Sequence, residues 1–253
     1  MLEDLINNVN LISIKNNLGK NMAKKKKVET KTEITSEIVK EYGINAGATV
    51  VGIANSSDFS QAPKGFKPTD ALEGCKSVIV LGNPFPIESF ENSIEYTKVR
   101  NAMAKKMTSI AKELAKQIKK DGYKTKAISS IGGKYLNGEH FGIISLKHAA
   151  ELAGLGYITR NYLLTNMEYG NRLWFSAVLC DADLTAEEKI ELDICKDCDK
   201  CVENCPSGAL ANPSSLEKKE CSKYYKTVNR KLEIQCFKCR TVCPYGFGET
   251  TEN

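Results

Sequence analysis

The sequence has 253 residues, ten cysteines and a formal charge of +5 at pH 7. Its length excludes a small secreted disulfide scaffold, because such scaffolds are short chains without room for a hydrophobic core. No apolar run approaches the roughly 20 residues that a membrane-spanning helix needs, and the mean hydropathy is -0.33. We therefore expect a cytoplasmic protein with no membrane span, in a reducing compartment.

Most of the positive charge lies at the N-terminus. Residues 1–31 contain seven lysines and three acidic residues, so they carry +4 of the total charge of +5. This composition predicts a disordered basic leader over residues 1–31, and we interpret the run Lys24 to Lys27 as solvated rather than as a nucleic-acid or membrane contact. The leader lacks the apolar run of a signal peptide. Met22 is an alternative start, and we expect residues 1–21 to lie outside the fold.

The first elements after the leader are a helix and two strands. In TEITSEIVKEYG, Ile34, Ile38, Val39 and Tyr42 fall on one helical face, and we expect the helix to end at Gly43. The segments ATVVGIAN and KSVIVLGNPF are short, β-branched and apolar, which is typical of strands buried on both faces.

A long amphipathic helix comes next, since apolar residues recur every three or four positions from Tyr96 and stop near Gly122. KTKAIS predicts a strand, SLKHAAELAGLG a helix with Ser145 as N-cap and Gly154 just past its end, and RLWFSAVLC another buried strand. Together these elements predict one α/β or α+β domain over residues 32–185, which binds a cofactor or substrate.

Composition changes at DADLTAEEKIELD, residues 181–193, and eight of the ten cysteines follow. Apolar runs are few beyond this point, so we expect metal to stabilise a separate domain over residues 186–253.

The eight cysteines form two runs, each ending in Cys-Pro. The first reads C-x2-C-x2-C-x3-C-P, which is the spacing of bacterial ferredoxins, in which the fourth cysteine ligates the other cluster. The second has the same form with a longer first gap. Structural zinc also takes four thiolates, but it has no use for a repeated Cys-Pro with exchanged partners. The spacing predicts one 4Fe–4S cluster on Cys195, Cys198, Cys201 and Cys243, and a second on Cys205, Cys221, Cys236 and Cys239.

Several segments in this order resemble epoxyqueuosine reductases and the related reductive dehalogenases: GFKPTDALEGCKSVIVLGNPF, IEYTKVRNAMAKKM, KHAAELAGLGYITRNYLLTNMEYGNRLWFSAVLCDADL and the two cysteine runs. The resemblance extends from about residue 34 to the end. Its most specific parts besides the cysteines are AGLG at 153–156 and N-x-E-Y-G at 166–170.

The resemblance implies an α+β fold with a mixed-sheet, nitroreductase-like, corrinoid-binding core and a C-terminal ferredoxin-like domain. It implies an oxidoreductase in which two 4Fe–4S clusters pass single electrons to cobalamin or another corrinoid, which reduces a small-molecule substrate. An electron donor such as ferredoxin or flavodoxin is the expected partner. We place the cofactor-binding residues in the two most specific motifs of the resemblance, at Gly154, Gly156, Asn166, Glu168, Tyr169 and Gly170. Two alternatives remain open: an electron-transfer or reductive-activator protein without corrinoid, and a reductase that binds FMN.

The resemblance also predicts catalytic residues. In epoxyqueuosine reductases an aspartate in a D-Y-H triplet before the long helix is the proposed proton donor, and the aligned residues here are Glu95, Tyr96 and Thr97. A carboxylate with a raised pKa could protonate a carbanion-like intermediate, so we predict Glu95 and Tyr96 as catalytic. The alternative for Glu95 is an exposed glutamate that the helix dipole stabilises.

Two further expectations concern partners and ligands. Epoxyqueuosine reductases continue past the clusters into helical repeats that help to hold tRNA, whereas this sequence ends ten residues after Cys243 and has only +1 beyond the leader. We therefore expect tRNA not to be a partner. His140 and His148 are the only histidines, and we interpret His148 as a packed or surface residue rather than a cobalt ligand.

Overall fold

The computed structural model describes residues 31–136, 139–191, 194–228 and 231–248. The chain divides into two units, Met1–Lys31 and Thr32–Asn253, and all the elements below belong to the second. Apart from Lys31, the predicted leader lies outside the described residues. A domain boundary between residues 185 and 186 stays a prediction.

The helices are α1 (Ser36–Asn45), α2 (Pro68–Ala71), α3 (Ser93–Lys120), α4 (Leu146–Leu152), α5 (Lys200–Glu203), α6 (Lys218–Ser222) and α7 (Lys238–Thr241). The strands are β1 (Val50–Asn55), β2 (Ser77–Pro84), β3 (Thr125–Ile128), β4 (Lys134–Leu136), β5 (Glu139–Phe141), β6 (Tyr157–Ile158), β7 (Leu164–Thr165), β8 (Leu173–Cys180), β9 (Tyr225–Val228) and β10 (Lys231–Ile234). Short 3₁₀ turns span Ser56–Gln61 and Ile87–Phe90. No helix of the described ranges is both long enough and apolar enough to cross a membrane.

The main sheet of the second unit has four strands in the order β1-β2-β8-β3. Every strand pair in the described part of the chain is antiparallel, so the prediction of a mixed sheet is wrong. Continuous apolar strands do not reveal strand direction, because they arise wherever both faces of a sheet are covered. The coarser prediction, an α+β fold, is confirmed.

Both faces of this sheet are buried, as the apolar strands predict. One face packs against α1 and α3 through Ile79, Leu81 and Val178, together with Met107 and Leu114 of α3. The opposite face packs against α4. Its buried side chains include Val78, Val80, Ala177, Leu179 and Ala149. Alternate residues of β2 and β8 therefore contribute to two separate cores.

Helix α1 does not end at Gly43 as predicted. It continues to Asn45, and the chain turns at Gly47, which has a φ of +104°. Gly43 lies inside the helix, where an added Cβ would be 2.8 Å from Cγ2 of Val51. The glycine therefore allows α1 to pack closely on β1, a long-range reason that the local pattern does not contain.

The other predicted elements are confirmed with small shifts of their ends. Helix α3 is capped by Asn92, whose Oδ1 accepts a hydrogen bond of 2.9 Å from the backbone N–H of Glu95. Gly122 follows its end with a φ of +92°. Helix α4 has Ser145 at its N-cap position, and Gly154, with a φ of +68°, lies just past its end.

Candidate functional site

The structure brings the first predicted set of cysteines together. Cys195, Cys198, Cys201 and Cys243 line one small cavity. Burial, together with the neighbouring thiols of the same set, raises the pKa of Cys201 to about 11. Thiols that face one cavity resist ionisation, because each thiolate repels the others. Such a set is stable as thiolates only around a positive centre.

The second set surrounds a larger cavity of about 220 Å³, lined by Cys205, Cys221, Cys236 and Cys239 among other residues. Burial raises the pKa of Cys239 to about 11, and the positive charge of Arg240 partly opposes this effect. Each set contains three cysteines of one run and one of the other: Cys243 joins the first set and Cys205 joins the second. The ferredoxin spacing predicts this exchange. No three His, Cys, Asp or Glu side chains in the described ranges form a group that could hold a single metal ion.

A short loop between β6 and β7 attaches the cysteine segments to the rest of the protein. Nε of Arg160 lies 3.2 Å from the carboxylate of Asp199, next to the first run. Asn161, which is 4% exposed, donates its amide N–H to the carbonyl of Cys239 at 2.9 Å. The hydroxyl of Tyr162 donates to the Pro213 carbonyl at 2.9 Å. Three consecutive residues thus contact three different parts of the cysteine-rich segment.

An aromatic cluster makes a second attachment, between α3 and the second cysteine set. The ring of Tyr96 lies 4.7 Å from Phe237 and 5.8 Å from Phe85, measured between centroids. Tyr96 is 5% exposed and also lines the cavity of the second set. Because Phe237 follows Cys236 directly, these aromatic contacts position Cys236 against the first turn of α3.

The two predicted catalytic residues lie in different surroundings. Tyr96 is buried beside the second set, as described above. Glu95 is on the first turn of α3, with a side chain that is 38% exposed, and its carboxylate lies 3.2 Å from Nζ of Lys98. Thr97 accepts a hydrogen bond of 2.9 Å from the backbone of Ile234. Only Tyr96 of this triplet lines the cavity at the cysteines among the described residues.

A second cavity, of about 300 Å³, adjoins that of the second cysteine set. Lys147, Leu163, Trp174 and Arg240 line both, so we treat the two cavities as one cleft. The sequence patterns did not single out Lys147 or Arg240. The single available signal was the position of Arg240 inside the second cysteine run.

Two cationic side chains project into this cleft region. Burial, followed by the charges of Arg240 and Lys218, lowers the pKa of Lys147 to about 8. Its ammonium group donates to the carbonyl of Tyr162. Arg240 is 7% exposed and donates to the carbonyl of Asn171. A cleft with buried positive charge favours anionic or strongly polar ligand groups.

Two buried polar atoms of the cleft have no hydrogen-bond partner within the described residues. They are Oδ1 of Asn171, an acceptor, and Nε1 of Trp174, a donor. Both residues line the 300 Å³ cavity. Buried polar groups are nearly always paired in folded proteins, so this acceptor and donor are suited to a ligand that carries amide groups.

The six predicted cofactor-binding residues make contacts with the protein itself. An added Cβ at Gly156 would lie 2.3 Å from the carbonyl oxygen of Thr165, and one at Gly154 would lie 2.8 Å from that of Glu188. Oδ1 of Asn166 accepts from the backbone N–H groups of Glu168 and Tyr169, at 3.0 and 2.9 Å. These residues therefore form close turns, and their role in cofactor binding stays a prediction.

Gly170 joins this turn to the end of the second cysteine run. It has a φ of +60°, and an added Cβ would lie 2.3 Å from the carbonyl oxygen of Gly246. The neighbouring Asn171 donates its backbone N–H to the same oxygen at 3.0 Å. The N-x-E-Y-G motif thus packs against the loop that follows Cys243.

The chain is similar to epoxyqueuosine reductases from many bacteria. It is 30% identical to that of Bacillus subtilis over 119 residues, 43% of this chain and 31% of the relative. It is 26% identical to that of Gloeobacter violaceus over 224 residues, 79% of this chain and 65% of the relative. The chain therefore spans about one third to two thirds of the length of these curated relatives. No family model matches it.

Solved structures show the same fold. An epoxyqueuosine reductase crystallised with an epoxyqueuosine-modified tRNA-Tyr stem loop matches with a TM-score of 0.61 and 20% identity, over 83% of this chain and 64% of that one. A catabolic reductive dehalogenase matches with a TM-score of 0.65 and 22% identity, over 85% and 32%. These matches confirm the resemblance to epoxyqueuosine reductases and reductive dehalogenases that the sequence motifs indicate. Both groups are oxidoreductases.

The expectation that tRNA is not a partner is wrong. The relatives are named epoxyqueuosine reductase, and one matching structure contains a tRNA stem loop. The expectation used the net charge of the fold, which does not exclude a local basic surface. Three exposed lysines, Lys218, Lys219 and Lys223, lie on or beside α6, and Lys223 pairs with Glu220 at 2.6 Å.

The close approach of Gly170 to Gly246 predicts that Gly170→Ala destabilises the protein strongly. The left-handed backbone alone costs an alanine about 1–2 kcal/mol, and the new methyl group would also overlap backbone atoms that cannot move independently. Gly208→Ala is the matched control, since Gly208 has a φ of +66° but nothing within 4 Å of an added Cβ. Urea unfolding of both variants measures the difference, and equal destabilisation would contradict the prediction.

Proposed function

We propose that this chain is an iron–sulfur oxidoreductase that binds two 4Fe–4S clusters and delivers single electrons to a corrinoid in the cleft. The observation that carries the proposal is the arrangement of the eight cysteines, which form two sets of four by exchanging Cys243 and Cys205 between the runs. This exchange is characteristic of two-cluster ferredoxins. We accordingly propose a ferredoxin-like segment after residue 185 and a nitroreductase-like core before it.

The second cysteine set is the one that opens on the cleft. It shares a cavity with Tyr96, Trp174, Lys147 and Arg240, whereas the first set lines a separate small cavity. We therefore propose that a cluster held by the second set would supply electrons to the cleft, and that a cluster held by the first set would supply electrons to the second. The aromatic contact between Phe237 and Tyr96 holds the second cysteine set against the wall of the cleft.

The cleft residues fit a corrinoid better than they fit a simple anion. A corrinoid carries several amide side chains, which complement the unpaired acceptor of Asn171 and the unpaired donor of Trp174. The phosphodiester in the nucleotide tail of cobalamin would pair with Lys147 and Arg240, and so would the phosphate of FMN, which the fold resemblance also allows. When bound, a corrinoid supplies a metal centre that accepts single electrons and reduces carbon–oxygen or carbon–halogen bonds.

The chain itself must supply the proton for such a reduction. Tyr96 lines the cleft and is buried, so its hydroxyl is available there and shielded from bulk water. Glu95 faces Lys98 on the exposed side of the same turn. We propose that Tyr96 donates the proton directly, and that Glu95 stabilises the first turn of α3 through the helix dipole.

The substrate that we propose is an organic molecule with a reducible carbon–oxygen bond. Epoxyqueuosine in a tRNA stem loop is the first candidate, because it is present in a related structure. The test is anaerobic incubation of the full chain with the reconstituted clusters, cobalamin, a chemical reductant and the modified stem loop. Formation of queuosine, detected by mass spectrometry of the nucleosides, would support the proposal.

The two cysteine sets predict about eight iron and eight sulfide per chain. Cys198→Ser should remove one cluster, halving the iron content, because it removes a thiolate from one set and leaves the other complete. Cys75→Ser is the matched control, since Cys75 is a buried thiol outside both sets. Iron and sulfide assays of anaerobically prepared protein provide the measurement. Zinc in place of iron would refute the cluster assignment.

Trp174 is the only tryptophan of the chain and lines the cleft, so its fluorescence should report occupancy. Titration with hydroxocobalamin should quench this fluorescence to saturation, because a corrinoid within contact absorbs the emitted energy. Lys147→Met should weaken the binding by about tenfold, whereas Lys119→Met, an exposed lysine of α3, should not change it. Linear, unsaturable quenching equal to that of free N-acetyltryptophanamide would argue against a corrinoid in the cleft.

Tyr96→Phe should slow turnover by about 10²–10⁴, the usual contribution of a positioned general acid, while leaving cobalamin binding unchanged. Glu95→Gln should change stability by about 0.3–1 kcal/mol, through the lost helix-dipole interaction, with little effect on turnover. Single-turnover rates and fluorescence titrations of both variants separate the two roles. A larger loss in Glu95→Gln than in Tyr96→Phe would return the role of proton donor to Glu95.

A further inference from the structure

A larger cavity, of about 500 Å³, lies apart from the cleft. Its walls come from the 3₁₀ turn at 56–61 and the loop after it, from β5 and the following residues, and from α4 and α6. Among the described residues it shares no lining residue with the cleft. Its volume falls within the range of about 300–1,000 Å³ that small-molecule sites usually have.

The inner wall of this cavity is apolar and aromatic. Phe59 and Ile144, which line it, are 5% and 1% exposed. Phe66 and Phe141 stand edge to face, with ring centroids 5.8 Å apart and planes at 61°. Two half-buried rings at this angle present both a face and an edge to a third ring, which favours a planar aromatic ligand.

The rim carries an unpaired positive charge. Nζ of Lys218 lies 4.1 Å from the ring centroid of Phe141 and forms no ion pair with any described carboxylate. Nζ of Lys134 lies 4.9 Å from the centroid of Phe66. Glu151, an acidic residue of the lining, is already neutralised, since its carboxylate lies 3.4 Å from Nζ of Lys189. Asp58, on the exposed side, is the remaining negative charge.

Both histidines of the chain also line this cavity. The ring of His140 lies 4.9 Å from that of Tyr135. His148 shares a hydrogen bond of 2.6 Å with the hydroxyl of Ser145. Burial, followed by the charge of Lys147, lowers the pKa of His148, so this imidazole is neutral near pH 7. His148 therefore adds a hydrogen-bonding group without adding charge.

We propose that this cavity is a second ligand site, which binds a planar aromatic acid with its ring against Phe66 and Phe141 and its carboxylate on Lys218. The aromatic wall supplies most of the contact area, and the ammonium group of Lys218 selects an anion over a neutral molecule. The site lies outside the cleft in which the proposed reduction occurs, so the ligand bound here is not required to be the molecule that is reduced.

The test is isothermal titration of the full chain with 2-naphthoate, and with 2-naphthalenemethanol as its neutral counterpart. The acid should bind saturably with a Kd of about 1 mM or tighter, and the alcohol about tenfold more weakly. Lys218→Gln should weaken binding of the acid about tenfold and leave that of the alcohol unchanged. Lys219→Gln is the matched control, since Lys219 is the next residue, is exposed and does not line the cavity.

Phe141→Leu gives an independent check of the ring contact. It should weaken binding of both compounds, because it removes the aromatic face while keeping an apolar side chain. Iron content and the unfolding midpoint of each variant, matched to the parent protein, establish that the fold is intact. The proposal is overturned if 2-naphthoate does not bind saturably, if the alcohol binds as well as the acid, or if Lys218→Gln and Lys219→Gln behave alike.

Discussion

The exchange of cysteines between the two runs is the constraint on which the rest of the structure depends. Cys243 belongs with the first run and Cys205 with the second, so neither set is complete until the end of the chain folds back over the first run. This return path needs close backbone contact, which explains the juxtaposition of Gly170 and Gly246. It also accounts for the buried hydrogen bond from Arg240 to the carbonyl of Asn171.

Attachment of the cysteine segments to the sheet gives the cleft its chemistry. Asn161 of the loop donates to the carbonyl of Cys239, and the ring of Tyr96 contacts Phe237, which follows Cys236. As a result, two cations, Lys147 and Arg240, are enclosed between an apolar sheet face and a set of thiols. Burial of unpaired charge is unfavourable, and the lowered pKa of Lys147 reflects it. A site of this kind gains stability when a polar or anionic ligand fills it.

Helix α4, although only seven residues long, contributes to both candidate sites. Lys147 lines the cleft, whereas His148, Glu151 and Leu152 line the aromatic cavity. Residues three and four apart lie on one helical face, and adjacent residues differ by about 100° in direction, so neighbouring positions serve different cavities. Movement of this helix would therefore affect both sites, and the charge of Lys218 already influences Lys147.

The sequence by itself determined the positions of the buried strands, the long helix and the grouping of the eight cysteines. Apolar periodicity and ligand spacing are local properties that follow from the geometry of a helix, a strand or a metal centre. Strand direction, the packing role of Gly43, the burial of Lys147 and the unpaired atoms of Asn171 and Trp174 were decided only by the tertiary structure. Each of these features depends on residues that are distant in the chain, and a local sequence pattern does not predict which distant segment will pack against it.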